Sequence, residues 1–273
     1  MKIIFFLLLL FFAGDNSELS HFVNSSNKPF RIKLPNELYE ISGITFDDSG
    51  NLFCHNDEEG IIYLFDLKTR NIKGKIFLGD KLISGDFEDI GFHGNKFYLL
   101  KSDGNIYVAD KTNSRNRPTI IGTGLTEKNN CEGLYFDEKN NSFLIACKDF
   151  PGKKMKGFRA VYSYSLSKNK LDVNPRFLIS LDILKNDFGI DGFNPAAIAK
   201  YEESKTYFVL SAKSKPAIIE ISEEGKILAA KYLNEKIHPK PEGIFFEKGK
   251  MFISDEGVNS PAYISIYSRN KLP

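Results

Sequence analysis

Tryptophan is absent from this chain of 273 residues, and cysteine and methionine occur three times each. Only four histidines are present, His21, His55, His93 and His238, and none stands in an H-x-H or H-x₃-H pair. That spacing gives no zinc site. Charge of one sign is lacking too. With 37 basic and 35 acidic side chains the net charge is +2, which gives no reason to expect nucleic acid or a strongly acidic partner. There is no glycine-rich phosphate loop, no alternation of strand and helix, and no legible nucleophile–base triad. Three cysteines, Cys54, Cys131 and Cys147, permit at most one bridge. Cys131 and Cys147 flank an expected hairpin and could face each other across it. Three small buried residues is the simpler reading.

Long apolar runs are missing beyond the first residues. Residues 3–13, after Met1-Lys2, form an apolar stretch of about eleven, short of the roughly 20 that cross a bilayer. A basic start, an apolar run and small residues Ala13, Gly14 and Ser17 have the form of a secretory signal. Residues 1–17 are therefore expected to be a signal peptide or a short N-terminal anchor. Export to the periplasm, envelope or exterior follows, with membrane contact through this segment alone. Residues 18–28 are polar and read as a mobile linker, and residues 29–273 as one domain.

What the chain has in plenty is aromatic residues, 24 Phe and 12 Tyr, which favour strands. Phe30-Arg-Ile-Lys-Leu34 alternates apolar and polar residues, as a half-buried strand does, and Pro35 stops it. A repeat then begins. Ile41-Ser-Gly-Ile-Thr-Phe46 is followed by a turn and a second strand ending at His55-Asn-Asp57. The same sentence returns at Phe87-Glu-Asp-Ile90, Cys131-Glu-Gly-Leu134, Pro195-Ala-Ala-Ile198 and Pro241-Glu-Gly-Ile244. The equivalent residues 43, 89, 133, 197 and 243 are 46, 44, 64 and 46 apart. A unit of about 45 residues with room for four short strands is the period of a propeller blade. The long third step is taken up by the 149–158 loop and the 178–193 segment, where one helical turn would fit. Five blades are predicted, all-β, with the strand at 30–34 supplying the outer strand of the last blade and so removing an open edge. A β-sandwich would not explain why an acidic heading recurs at one place in each unit.

Three of the five headings carry glutamate: Glu88, Glu132 and Glu242. First strands line a propeller's central channel, so these carboxylates should converge on one axis and repel. A hard cation such as Ca²⁺, which takes six to eight oxygen ligands, would relieve that. Alternatively, each Glu accepts hydrogen bonds from a neighbouring blade and binds nothing. Second strands end in further polar groups, among them Asp57, Lys101, Lys148, Ser211 and Asp255. Asp57 and Asp255 are candidates to join the metal site. Lys101, Lys148 and Ser211 are candidates for a ligand, and the lysines could equally pair with the glutamates and displace any need for metal. His55 reads as packed rather than catalytic, and the basic tip Pro151-Gly-Lys-Lys-Met-Lys156 as a solvated hairpin.

At Tyr39-Glu-Ile-Ser-Gly-Ile-Thr-Phe46, His55-Asn-Asp-Glu58, Asp86-Phe-Glu-Asp-Ile90, Cys131-Glu-Gly-Leu134, Pro241-Glu-Gly-Ile244 and Ser254-Asp-Glu256, the chain resembles the SdiA-regulated family of bacterial exported propellers, distant relatives of NHL-repeat proteins. The match runs over roughly residues 30–270. The resemblance implies a five-bladed propeller, export with or without an anchor, and calcium in a channel site at Glu88, Glu132 and Glu242, with Asp57 and Asp255 beside them. It implies no activity. The expected function is a calcium-binding, monomeric module for a small molecule or a protein. The alternative is a calcium-dependent hydrolase, lactonase- or phosphoesterase-like, with its site in the channel.

Overall fold

Each repeat folds as one antiparallel sheet whose strands follow chain order from the inside outwards. The computed structural model describes residues 17–112, 117–149, 151–213 and 215–270; the expected leader falls almost wholly outside them. Blade one is Ile41–Phe46, Leu52–Asn56, Ile61–Asp66 and Asn71–Phe77, and blade two is Phe87–His93, Lys96–Lys101, Asn105–Asp110 and Thr119–Gly122. Blade three is Cys131–Asp137, Ser142–Cys147 and Phe158–Ser165, with Phe177–Ser180 and the short Lys170–Leu171 outside it. Blade four is Pro195–Tyr201, Thr206–Ser211, Ala217–Ile221 and Ile227–Tyr232. Blade five takes Pro241–Glu247, Lys250–Asp255 and Tyr263–Ser268 from the end of the chain and Phe30–Lys33 from its beginning. Phe30 pairs with Ile266 and Lys33 with Tyr263, so the ring is tied shut between the two ends of the chain, as the sequence predicts.

Local chemistry explains the tight reversals. In blades two and five the inner hairpin turns on two residues, Gly94-Asn95 and Lys248-Gly249, all four with positive φ. Two consecutive left-handed residues make the hairpin turn that matches the twist of the flanking strands. Between turns, side chains alternate. Phe97 and Leu99 of one strand pack with Phe53 and Ile62 of blade one, while Tyr98 and Leu100 pack with Leu134 and Phe143 of blade three. The five hydrophobic clusters are the five interfaces between neighbouring blades. Each fully buried Leu, Ile or Phe there contributes about 1.5–3 kcal/mol.

Residues 18–28 depart from the linker expected of them. Glu18–Phe22 is a helix, capped by the Ser17 hydroxyl, which accepts from the Ser20 amide. Leu19 and Phe22 are fully buried between blades four and five, and Phe22 meets the rings of Tyr201 and Phe246 edge-on at 5.2 and 5.4 Å. The Leu19 amide donates to Glu220 at 2.9 Å, and the Asn27 side chain donates to the Ser268 carbonyl at 2.9 Å. The segment is a strap: two apolar residues three apart present one face, and that face has a groove to fill. The second helix, Leu181–Phe188, is longer than the single turn expected there. No helix among the described residues is long and apolar enough to cross a membrane.

Candidate functional site

The acidic headings sit on β-bulges. In every blade the pairing of first and second strands jumps at one place: past Ser42-Gly43, Glu88, Glu132, Ala196 and Glu242. A bulge leaves its residue unpaired and re-aims the side chain. The next residue shows why the strand must bulge there. A side chain at Gly43 would lie 2.7 Å from the Ile90 amide nitrogen of blade two, and one at Gly133 about 3.0 Å from the Ala197 backbone of blade four. Adjacent inner strands approach so closely at this level that the residue after the heading has no room for a side chain in blades one, three and five.

Buried hydrogen bonds fix the bulges. The Ser42 hydroxyl donates to the Glu88 carbonyl, and the Ser254 hydroxyl donates to the Ser42 carbonyl at 2.7 Å. Asp89 accepts from the Ile90 and Leu134 amides at 2.8 and 2.7 Å, linking blades two and three. His55 accepts from the Gly43 amide at Nε2 (3.2 Å) and donates from Nδ1 to the Asn56 carbonyl (2.8 Å). This is the neutral tautomer, and burial holds its pKa down at about 4. His55 is thus packed, as expected.

Glu88, Glu132 and Glu242 come together. Glu88 is held well above the carboxylate range, first by burial and then by Glu132 and Asp86. Glu132 is raised by burial, against which Lys148 acts. Glu242 is pushed up to about 7 by burial, opposed by Lys240 and reinforced by Glu132. Lys148 is the shared counter-ion. Its Nζ lies 2.9 Å from Glu132 Oε1, and although burial lowers its pKa, the attraction of Glu132, Glu242 and Glu88 keeps it above the ordinary lysine value. Lys240 lies 3.6 Å from Glu242 and hydrogen-bonds Glu256. Asp57 sits beside this group, pushed up to about 6 by burial and then by Glu256 and Glu40.

Three other expected site residues lie elsewhere. Asp255 does not join the glutamates: it is fully buried within blade five, where it meets His238 Nδ1 at 2.9 Å, and His238 Nε2 meets Tyr267 Oη at 2.7 Å. Ser211 is fully buried and accepts from the Asn194 amide at 2.9 Å. Lys101 reaches Asp103 at 3.9 Å and lies over the Tyr107 ring, apart from the glutamates. The register gives the reason. Asn56, Lys101, Cys147, Ser211 and Asp255 oppose the residue before the bulge, and the residue one further along points the other way. The equivalent places are therefore Asp57, Lys148 and Glu256. Glu256, Lys240 and Asp86 were not among the expected site residues, although the parity of Asp57 and Lys148 pointed to Glu256.

The oxygen donors suit a hard cation. Among the described residues, however, no group of three or more His, Cys, Asp or Glu side chains is gathered to hold a metal, and Lys148 supplies positive charge to the cluster. Cys131 and Cys147 do face each other across the hairpin, with Sγ atoms 3.7 Å apart and both thiols free and buried.

No protein-family model and no curated protein matches the sequence of this chain. Solved structures resemble it in shape. A luciferin-regenerating enzyme matches with a TM-score of 0.53 and 10% identity over 88% of this chain and 95% of its own. A streptogramin B lyase matches at 0.51 and 12% over 90% and 88%. The PQQ-bound aldose sugar dehydrogenase of Streptomyces coelicolor matches at 0.54 and 13% over 89% and 98%. At such identities the likeness is one of fold alone.

Proposed function

We propose that this protein is an exported binding module of the SdiA-regulated kind, whose site is the glutamate mouth of the central channel and whose resident ion is Ca²⁺. The observation that carries the reading is the convergence of Glu88, Glu132 and Glu242, from three blades and largely shielded from water, on Lys148 and Lys240, which lie 2.9 Å from Glu132 and 3.6 Å from Glu242. Lys148 and Lys240 face Glu88, Glu132, Glu242, Glu256 and Asp57, which leaves the mouth short of positive charge; burial first, and then the neighbouring acids, raise Glu88 and Glu242. Glu88, Glu132 and Glu242 would hold the ion, with Asp57 beside them, once Lys148 gives up Glu132. When bound, the ion supplies positive charge and open coordination positions for an oxygen-bearing ligand. The apolar run at residues 3–13 supports export.

Calorimetry of chelator-treated protein with Ca²⁺ tests this. Glu132→Gln should weaken binding about tenfold or more, and Lys148→Met should strengthen it. Unchanged affinity in Glu132→Gln sinks the assignment.

One observation favours a hydrolase as the second reading. Burial and its neighbours keep the Glu88 carboxyl protonated beside the ionised Lys148–Glu132 pair, which sets a proton donor next to a charged pair. Turnover of a lactone or phosphoester, lost in Glu88→Gln and with chelator, would establish it. Absence of turnover across such a panel leaves the binding reading.

A further inference from the structure

The inner strands have a second end. Two residues beyond each bulge stands a branched aliphatic, Ile44, Ile90, Leu134, Ile198 or Ile244, each 1–3% exposed. Each packs between two neighbouring blades, and together they line a cavity of about 330 Å³ bounded by the C-terminal halves of the inner strands. Its walls are aromatic: Phe46, Phe92, Tyr135, Phe136, Phe245 and Phe246, from four blades. Phe92, Tyr135, Phe245 and Phe246 are only half-buried, although Phe246 also packs on Phe22, Tyr201 and Phe208.

The polar groups around these rings are mostly carboxylates: Asp47, Asp48, Glu138, Glu202 and Glu247. The one cation in the lining, Lys200, is already taken, with its ammonium 3.1 Å from Glu202 and 3.9 Å from Glu223. Tyr135 donates to Glu202 as well, at 3.2 Å. Lys111 holds Asp47 at 2.6 Å, and Lys248 holds Glu247 at 3.2 Å. Asp48 and Glu138 are exposed and form no ion pair among the described residues.

Aromatic faces attract a cation through the ring quadrupole, and carboxylates at the mouth add to that field. An anion would meet the same carboxylates with no free cation to pair with. The volume is at the low end of the roughly 300–1,000 Å³ of small-molecule sites, which suits a ligand of about a dozen non-hydrogen atoms. From the rings and the carboxylates together we infer that this cavity binds a compact organic cation, a quaternary or tertiary ammonium with an apolar body. This site is separate from the glutamate mouth and does not depend on calcium there.

Calorimetry with three probes of similar size decides the matter: benzyltrimethylammonium, neutral benzyl alcohol and anionic benzenesulfonate. The cation should bind about tenfold more tightly than either of the others. Phe245→Ala should abolish most of that binding while leaving Ca²⁺ titration at the other end unchanged. Phe245 packs on Phe46, with ring centroids 5.4 Å apart, so a variant that spares the core is needed beside it. Asp48→Asn combined with Glu138→Gln changes only exposed groups, and it should weaken the cation a few-fold without affecting benzyl alcohol. No binding of the cation at millimolar concentration, a preference for benzenesulfonate, or equal binding of benzyl alcohol overturns the proposal.

Discussion

The two ends of the channel are made by the same five strands, yet they obey different rules. At the start of each strand a bulge takes one side chain out of the alternation that packs blade on blade. The bulged residues are Ser42, Glu88, Glu132, Ala196 and Glu242. Two residues on, pairing is regular, and the side chains are four Ile and one Leu. A residue with an interblade contact to fill is held to one size and polarity. A residue freed by a bulge is not, and charge has collected there. What differs between repeats marks the place where chemistry is possible. What is the same marks the packing.

Adding a methyl group at each end should separate the two most sharply. Gly43→Ala places a Cβ 2.7 Å from the Ile90 amide and 2.8 Å from the Asp89 Cα, so backbone of the next blade must move. Gly91→Ala, towards the aromatic end, meets nothing nearer than side-chain carbons at 3.7 Å. Denaturant unfolding should show a loss of roughly 3 kcal/mol for the first and under about 1 kcal/mol for the second. Equal losses would mean that the bulged end is no more tightly closed than the other.

Next in size is the counter-ion. Lys148→Met leaves Glu132 without its 2.9 Å partner and the other two glutamates without their shared cation. The lysine side chain is 38% exposed, so water screens part of the loss, and about 1–2 kcal/mol is expected at pH 8. At pH 5 Glu88 and Glu242 carry their protons, and the loss should be smaller. A loss independent of pH would assign Lys148 a packing role.

A smaller effect, with a definite sign, belongs to Glu242. Its carboxyl has a pKa of about 7 when folded against 4.5 ordinarily, so the folded chain keeps a proton that the unfolded chain releases. The stability from this group is fully present below about pH 4.5 and is lost as pH rises through about 7. Glu242→Gln should therefore be neutral at pH 4 and more stable than the parent by roughly 1–2 kcal/mol at pH 8. His55 works in the other direction. Its folded pKa, about 4 against 6.5, makes stability rise with pH across that interval, and this limb should persist in Glu242→Gln. Circular dichroism melts from pH 4 to 8 read both. A Glu242→Gln curve that runs parallel to the parent's from pH 5 to 8 would count against the repelling mouth.

The fold was legible because a blade is a local object. Turn residues, alternation and a heading recur within about 45 residues, and ring closure needed only the spare strand at 30–34. The strap at 18–28 was not legible, because Leu19 and Phe22 have meaning only against the groove between blades four and five. The glutamates were legible as a repeated letter. Their second-strand partners were not, since the bulge shifts parity by one residue and nothing in the sequence announces it. Hence Asp255 stood where Glu256 belongs, and Lys101 and Ser211 seemed equivalent to Lys148.

Lys101 gives the finest test of that parity. It opposes Phe87, the residue before the bulge, whereas Lys148 is one residue beyond Cys147, which opposes Cys131. The one-residue offset sends Lys101 towards Asp103 and the Tyr107 ring and sends Lys148 to the glutamates. An ion pair of 3.9 Å between partly exposed side chains contributes a few tenths of a kcal/mol. Lys101→Met should therefore change stability by under about 0.5 kcal/mol, equally at pH 5 and pH 8, and leave calcium affinity untouched. If it instead showed the pH-dependent loss expected of Lys148→Met, both lysines would serve the mouth, and the register would no longer tell a channel residue from its neighbour.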